Sequence, residues 1–387
     1  MDRNNLISAK VLLFFLLFSL SVSSLRAGTT DKKKEKEPKE CLSADGPYIL
    51  WQVDKSARVI TVDKHNAIHD TIYQTIPQKL SFPIYSHKGE FLFDVSLHPV
   101  IRPDWKNKQA NKVFVTSDPH GNIECFAGLL QANKVINEQY RWTFGKNQLV
   151  VIGDVFDRGK DVLPIFWLIY KLEKEAQDTG GQVVFLLGNH EPLALTGDVR
   201  YAKDKYPALA KLLGMPYKEL FAPTTELGHW LATRNTMQLI GRNLFVHAGL
   251  SAELYNRSLS IPVINPAMSE ALFLNKAERT AHSELSAFLY GNNGPIWYRG
   301  MVKEDEKYHP LSTDTLNLIL KKYKADRVIV GHTIFKDITT PYGGRVITVN
   351  VDNKENRKKG RGRGILIESK KISVTGDKGI IKKLLPL

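Results

Sequence analysis

The chain has 387 residues, of which 43% are hydrophobic and 24% are charged, and its formal net charge is +14. These fractions are those of an ordinary globular protein and argue against a membrane protein with many spans. A basic surface raises the local concentration of anionic partners, but it does not distinguish phosphoproteins from nucleotides or nucleic acids.

Residues 1–27 have the residue order of a signal peptide. Arg3 and Lys10 flank a polar start, Val11–Leu20 is almost wholly apolar, and small residues follow. We expect cleavage between about Ser24 and Gly28, and export to the periplasm or the medium. The alternative is an anchor that is not cleaved. Because a bilayer crossing takes about 20 apolar residues, we expect no stable membrane span.

A charged linker at residues 28–44 precedes the predicted fold. Its central part reads DKKKEKEPKE, which cannot bury a core. The two cysteines, Cys41 and Cys125, do not make a disulfide scaffold. Cys125 lies on a predicted helix, and we expect it to be a buried free thiol.

Residues 45–108 predict a small β-rich accessory segment. Alternating or β-branched stretches occur at 48–53, 58–62 and 91–95, and prolines separate them. The segment carries no group of residues to which we can assign chemistry.

Residues 109–387 predict an α/β catalytic domain. Five continuous apolar runs suit strands that are buried on both faces. These runs are Val113–Thr116, Leu149–Ile152, Val183–Leu187, Leu244–Val246 and Val328–Val330. Helical patterns lie between them. Asp161 is expected to cap one helix, and residues about 191–242 are expected to form a helical cap insertion over the site.

A polar cluster follows each apolar run, which places the clusters at the carboxyl ends of strands, where open α/β sheets hold their sites. The clusters are Ser-Asp-Pro-His-Gly at 117–121, Gly-Asp-Val-Phe-Asp-Arg-Gly at 153–159, Gly-Asn-His-Glu at 188–191, His-Ala-Gly at 247–249 and Gly-His-Thr at 331–333. Their potential metal ligands are Asp118, His120, Asp154, Asn189, His247 and His332. Carboxylate, amide oxygen and imidazole suit Mn, Fe or Zn ions and do not suit a closed thiolate zinc site.

The order of these clusters resembles that of the metal-dependent phosphoprotein phosphatases, within the calcineurin-like metallophosphoesterase superfamily. The resemblance covers roughly residues 112–335. Within that family the chain is similar to the Shewanella-like branch, through LTGDVRY at 195–201, GPIWYRG at 294–300 and the export signal. The resemblance implies a β-sandwich flanked by helices. It also implies a two-metal phosphomonoesterase that acts on phosphorylated proteins or peptides and prefers phosphotyrosine.

The resemblance further implies a role for each metal ligand. Asp118 and His120 would bind the first ion, Asp154 would bridge, and Asn189, His247 and His332 would bind the second. A hydroxide that bridges the two ions would attack phosphorus in line.

Four more residues gain roles in the same way. Arg158 and Arg299 would hold the phosphate oxygens, because a planar guanidinium can do so with two hydrogen bonds. His190 would protonate the leaving oxygen, and Asp157 would orient His190. The chain departs from the family at Ser117, where glycine is usual.

Three other interpretations remain open. A dinucleoside polyphosphate hydrolase would use the cap at 191–242 to hold a base. A nuclease or other phosphodiesterase would use the basic run at 354–363, although such runs are more often solvated loops, and we expect no nucleic acid partner. A binding protein with an inactive metal site is disfavoured, because His190 and both arginines accompany the ligands.

Overall fold

The computed structural model describes residues 43–77, 80–359, 361–369 and 371–386, which fall within a single compact unit. The predicted signal peptide, Cys41 and most of the predicted linker lie outside the described residues. Among the residues that are described, no helix combines the length and the apolar character that a bilayer crossing requires.

Sixteen strands are found in the described residues, and they form four sheets. The strands are β1 Asp45–Trp51, β2 Ala57–Val62, β3 Ile68–Tyr73, β4 Ser81–Tyr85, β5 Phe91–Ser96, β6 Lys106–Asn107, β7 Lys112–Ser117, β8 Gln148–Ile152, β9 Gln182–Leu186, β10 Met237–Ile240, β11 Asn243–Val246, β12 Arg327–Val330, β13 Val346–Thr348, β14 Gly364–Glu368, β15 Lys371–Gly376 and β16 Gly379–Pro386. Their order is β1-β2-β3, β4-β5, β13-β12-β11-β10-β6 and β16-β15-β14-β7-β8-β9.

Eleven α-helices are found in the same residues. They are α1 Ile123–Ala132, α2 Val162–Asp178, α3 His190–Leu195, α4 Lys205–Leu213, α5 Glu226–Ala232, α6 Ala252–Asn256, α7 Ile261–Glu270, α8 Lys276–His282, α9 Glu284–Leu289, α10 Thr313–Tyr323 and α11 Asn353–Lys358. Short 3₁₀ helices lie at Tyr217–Phe221, Glu306–Tyr308 and Tyr342–Gly344.

The six-stranded and five-stranded sheets pack face to face. Val115 and Ile152 of the first sheet share one buried cluster with Phe245 and Ile329 of the second. Strands β7, β8 and β9 are parallel, as are β11, β12 and β13. Helices cover the outer faces, and eleven of the 17 residues of the long helix α2 are buried. The predicted α/β fold, a sandwich flanked by helices, is confirmed.

The N-terminal strands share a core with the helices of the larger fold. The Tyr48 ring packs edge-on against Phe221 at 5.8 Å between centroids. Trp51 donates from its backbone N–H to the Thr224 carbonyl oxygen and from its indole N–H to Glu226. Residues 45–96 are rich in strand, but their hydrophobic cluster is continuous with that of α2 and α5.

The helical insertion ends earlier than the sequence pattern suggested. Helices α3, α4 and α5 lie between residues 190 and 232. Residues Met237–Ile240, however, form β10 and pair with β11 inside the sandwich. The predicted boundary near 242 is therefore too late, because a short buried strand follows the last helix directly.

Two local predictions need correction. Asp161 stands at the N-cap position of α2, but its carboxylate makes no capping bond. It accepts instead from the backbone N–H of His87 at 2.6 Å and from the His87 ring at 2.8 Å, while Val162 N–H donates to the Tyr206 hydroxyl. Cys125 does lie on α1, but it is half-buried and not fully buried. Burial raises the pKa of its thiol to about 11.

Candidate active site

The five polar clusters meet at one edge of the sandwich. Asp118 follows β7, Asp154 follows β8, and Asn189 follows β9, which are parallel neighbours in one sheet. His247 and His332 follow β11 and β12 of the facing sheet. All five side chains are buried. The structure thus brings together these predicted ligands from five separate strand ends.

Asp154 is the shared centre of two groups of possible metal ligands. His120, Asp154 and His190 have ligand atoms within 4.8 Å of one another, and so do Asp154, His247 and His332. The Asp154 Oδ2 atom lies 3.2 Å from His247 Nε2 and 3.8 Å from His120 Nε2. One carboxylate oxygen in contact with both groups has the position that a bridging ligand requires.

The backbone around these ligands is strained. Asp118, His120, Asp154 and His332 have φ values of 50°, 42°, 58° and 59°, in the left-handed region that non-glycine residues rarely adopt. Such conformations cost about 1–3 kcal/mol each, although Asp and His adopt them more readily than most residues do. The clusters therefore hold these side chains in positions that ordinary turns would not provide.

Glycines in the clusters allow the loops to approach one another. A Cβ on Gly153, which has a φ of +70°, would lie 2.5 Å from the backbone nitrogen of Gly188. A Cβ on Gly188 would lie 2.2 Å from Asp154 Oδ1. Because neither contact is possible, only glycine at both positions lets the ligand loops of β8 and β9 come together.

Backbone carbonyls fix the orientation of two imidazoles. The Nδ1–H of His120 donates to the Phe156 carbonyl oxygen at 2.8 Å, and that of His247 donates to the Ile152 carbonyl oxygen at 2.9 Å. A carbonyl can only accept, so Nδ1 carries the proton in both rings. Both Nε2 atoms are thereby directed toward Asp154, as metal-binding histidines require.

Several buried polar atoms of the site lack a partner within the described part of the chain. Asp118 Oδ1 and His332 Nε2 are both buried and make no hydrogen bond there. His247 Nε2 faces two oxygens, Asp154 Oδ2 at 3.2 Å and Asn189 Oδ1 at 3.1 Å. A cation would satisfy the unpartnered oxygen and the imidazole nitrogens at once, so this donor set fits metal ions.

The electrostatics of the cluster are strongly perturbed. Burial raises the pKa of Asp118 to about 7 and lowers the pKa of His120 to about 4. Burial alone would raise the pKa of Asp154, but His247 and His190 outweigh it and hold that pKa well below its usual range. For His247 burial is outweighed by Asp154, which raises its pKa to about 9. Neighbouring ionisable groups whose pKa values are strongly shifted, some upward and some downward, are typical of functional sites.

His190 and Asp157 form a tight pair beside the ligand cluster. His190 Nδ1 lies 2.5 Å from Asp157 Oδ2, and both side chains are buried. Burial acts to lower the pKa of His190, but Asp154 and Asp157 outweigh it and raise that pKa. His190 Nε2 lies 3.5 Å from Arg158 Nη2, so a cationic group competes with any metal ion for this nitrogen. The position suits proton transfer better than metal binding.

The two predicted phosphate-binding arginines come from different sides of the site. Arg158 is exposed, with a φ of 60°, and its backbone N–H donates to the Tyr201 carbonyl oxygen at 2.9 Å. Arg299 is half-buried, and its Nη1 donates to Thr333 Oγ1 at 2.9 Å. Burial lowers the pKa of Arg299 from its ordinary value. Both guanidinium groups retain donors for an anionic substrate.

Two residues of the site, Glu191 and Thr333, were missed as functional residues in the sequence analysis, and Tyr201 was noted there only as part of the LTGDVRY segment. Glu191 is fully buried and accepts backbone N–H groups from Gly188 at 2.6 Å, Asp154 at 3.0 Å and Val155 at 2.8 Å. Thr333 anchors Arg299, and the Tyr201 ring lies 5.3 Å from the His190 ring. The signal for Glu191 and Thr333 was their place inside the motifs, but nothing in the sequence indicated which atoms they would bind.

Residues 111–335 match the calcineurin-like phosphoesterase family. The chain belongs to this family. It is 30% identical to Shewanella-like protein phosphatase 1 of Plasmodium berghei over 228 residues, which are 58% of this chain and 62% of that protein. It is 26% identical to Shewanella-like protein phosphatase 2 of Arabidopsis thaliana over 313 residues, 68% of this chain and 78% of that one.

A solved structure supports the same relationship. The cold-active protein-tyrosine phosphatase of a psychrophilic Shewanella species aligns with a TM-score of 0.79 and 30% identity, over 88% of this chain and 99% of that one. The predicted resemblance to the Shewanella-like phosphatases is therefore confirmed, and the chain is a phosphatase of the metallophosphoesterase type. A binding protein with an inactive site and a dinucleoside polyphosphate hydrolase are not favoured.

Proposed function

We propose that the chain removes phosphate from phosphorylated proteins or peptides with a preference for phosphotyrosine, and that it does so after export. The observation that carries this proposal is the position of Asp154 between His120 on one side and His247 and His332 on the other, with the His190–Asp157 pair and Arg158 beside them. A monoester phosphate needs that combination of charge neutralisation and a proton donor.

Six residues would hold two metal ions, for which Mn, Fe and Zn remain the candidates. They are Asp118, His120, Asp154, Asn189, His247 and His332. Such a pair of ions supplies Lewis acidity, which activates water and offsets the charge of the phosphate. The unpartnered Asp118 Oδ1 and His332 Nε2 support this assignment.

The two arginines would orient the phosphate against this centre. Arg299 is held by Thr333, so its planar group loses little freedom when it binds an anion. Arg158 lies beside His190, so a phosphate bound by its guanidinium would have its leaving oxygen within reach of that imidazole. Positioning of this kind lowers the barrier without any covalent intermediate on the protein.

His190 would give its proton to the leaving oxygen. With Nδ1 bound to Asp157, the Nε2 atom is the one that faces the site. The Asp157 carboxylate keeps the ring in this orientation and favours its protonated form. A leaving group of high pKa gains most from such a donor.

Tyr201 supports the preference for phosphotyrosine. The residue is 46% exposed, and its ring stands edge-on to the His190 ring with 5.3 Å between the centroids. Arg200 lies 5.6 Å from the centre of the ring and is held by Asp198. An exposed aromatic ring in this place could bury the phenyl group of phosphotyrosine, whereas phosphoserine offers no ring to bury. The similar Shewanella enzyme is named a protein-tyrosine phosphatase.

The test compares phosphotyrosine and phosphoserine in one peptide, with metal-replete protein and after correction for leaving-group reactivity. Diadenosine tetraphosphate and single-stranded DNA complete the set of substrates. We expect the corrected ratio to favour phosphotyrosine and to fall in Tyr201→Leu but less in Tyr201→Phe, which keeps the ring. A corrected ratio at or below one for the parent protein would remove the tyrosine preference.

Export is the part of the proposal that rests on sequence alone. Amino-terminal sequencing of protein from the native host should find a start between about Ser24 and Gly28, as the order of charged, apolar and small residues predicts. An intact Met1 in the cytoplasmic fraction would contradict export.

A further inference from the structure

A cavity of about 930 Å³ opens directly beside the proposed metal centre. Asp118, His120 and Arg158 line one end of it. From there it extends between α1 and the segment 350–358, which includes α11. The basic run that begins at Lys354 therefore forms part of the wall of a cavity that is continuous with the site, and it is not an isolated solvated loop.

Three lysines on this wall are available to a ligand. Lys160 is half-buried, whereas Lys203 and Lys354 are exposed, and all three line the cavity. Within the described residues none of the three has an ion-pair partner. Other cations of the wall are engaged: Lys88 with Glu124, and Lys358 with Glu355.

The carboxylates of the wall do not neutralise these lysines. Glu124 pairs with Lys88, Asp161 binds His87, and Asp352 accepts the backbone N–H of Glu355. Asp118 belongs to the ligand cluster. Asp161, Asp204 and Asp352 keep their negative charges, but the described lining holds seven lysines and arginines against five carboxylates, so the wall remains net positive.

We propose that this cavity is a subsite for acidic side chains next to the phosphorylated residue of a peptide substrate. The proposal rests on the protein phosphatase function proposed above. An extended peptide advances about 3.3 Å per residue, so residues one to three positions away lie about 3–10 Å along the chain from the Cα of the phosphorylated residue. Asp or Glu side chains there would meet Lys160, Lys203 and Lys354 while Arg158 holds the phosphate at the cavity end.

The positions of the three lysines along the chain also suit the carboxylates of a substrate peptide. Lys160 is two residues from Arg158, Lys203 is two residues from Tyr201, and Lys354 belongs to a third segment of the lining. A substrate chain in the cavity would thus meet ammonium groups from three separate segments. Flexible lysines favour charge over exact shape, so we expect tolerance for Asp or Glu at more than one neighbouring position.

The test uses three phosphotyrosine peptides of equal length with glutamate, alanine or lysine at the positions flanking the phosphorylated residue. For the parent protein we expect kcat/KM for the acidic peptide to exceed that for the alanine peptide by about tenfold at low salt, since each exposed charge pair contributes a small amount. The ratio should shrink as ionic strength rises, because salt screens exposed charges.

Matched variants separate this subsite from general surface charge. In the triple variant Lys160→Gln, Lys203→Gln, Lys354→Gln the acidic-to-alanine ratio should fall by about fivefold or more. The control replaces three lysines that are exposed and do not line this cavity, Lys64→Gln, Lys146→Gln and Lys276→Gln, and should keep the parent ratio. Because each ratio is measured within one variant, partial loss of folded protein cancels.

Equal hydrolysis of all three peptides by the parent protein would overturn the subsite and leave the phosphatase function intact. An equal loss of the ratio in the control variant would overturn it as well. Failure to hydrolyse any phosphopeptide, with aryl phosphates still cleaved, would overturn both proposals. Single-stranded DNA that competes more strongly than the acidic peptide, and loses this effect in the triple lysine variant, would assign the cavity to nucleic acid and overturn the peptide subsite.

Discussion

Replacing Glu191 by glutamine should damage both the stability of the fold and the metal centre. The carboxylate is fully buried and accepts hydrogen bonds from three backbone N–H groups, those of Gly188, Asp154 and Val155. These bonds join the ends of β8 and β9. The change Glu191→Gln keeps the shape of the side chain but replaces one acceptor oxygen by an NH₂ group.

The magnitude follows from counting those bonds. Oε2 accepts two N–H groups and Oε1 accepts one, so a glutamine oxygen in the Oε2 position keeps two bonds and faces Val155 N–H with another donor. A lost bond to a charged acceptor costs about 1.5–3 kcal/mol, and the two retained bonds weaken because their acceptor is no longer ionised. Burial raises the pKa of Glu191 to about 7 and Asp154 adds to this, so removal of the buried charge offsets part of the cost. At ~pH 8, where the parent carboxylate is ionised, we expect a loss of about 2 kcal/mol in the free energy of unfolding.

Urea unfolding measures the stability, and metal analysis with kcat measures the site. Because Glu191 holds the backbone of Asp154, the variant should also lose metal affinity and turnover by about 10–100-fold, as changes behind metal ligands do. The control is Glu219→Gln, the same chemical change on an exposed side chain. If Glu191→Gln unfolded at the same urea concentration as Glu219→Gln and retained its metal, the assignment of Glu191 as the clamp between the two strand ends would be refuted.

Four further substitutions test other parts of the structure. Asp154→Asn should reduce kcat by at least ~10³-fold and lower the content of both metals, whereas Asp118→Asn should mainly deplete one; metal analysis of the purified proteins distinguishes the two. His190→Ala should slow esters with poor leaving groups more than those with good ones, and a series of aryl phosphates checks this. Lys205→Met leaves Asp45 buried without its partner at 3.3 Å and should cost about 3 kcal/mol at ~pH 8. Burial already raises the pKa of Asp45, and loss of Lys205 raises it further. Because the pKa in the folded state then exceeds that in the unfolded state, protonation of Asp45 on acidification restores stability. Urea unfolding should therefore show a smaller loss at ~pH 5.

The strands of the site could be predicted because their burial is extreme. The apolar runs before Asp118, Asp154 and His247 became β7, β8 and β11, each buried by the facing sheet on one side and by other elements on the other. Such strands need apolar residues at every position, so their sequences differ from those of ordinary half-exposed strands. The ligands could be recognised because each of them lies in a polar cluster that directly follows an apolar run.

Contacts between distant segments could not be predicted. Arg299 and Thr333 are 34 residues apart, and His87 and Asp161 are 74 apart, so no local pattern joins them. Asp161 illustrates the consequence. Its position favours a helix cap, but the turn after β4 supplies two donors that occupy the carboxylate first. Local preference gave way to a tertiary contact there.

At four ligand positions of the site, the left-handed backbone conformation lowers the stability of the fold, although the side chains there are needed for function. Glycine would adopt the left-handed conformation with the least strain, but glycine has no side chain that could bind a metal ion. The four positions are Asp118, His120, Asp154 and His332. Glycine at these positions would relieve the backbone strain but would also remove the side chains that would bind the metal ions. Stabilising substitutions are therefore better placed in the outer helices and the N-terminal strands, away from the ligand positions.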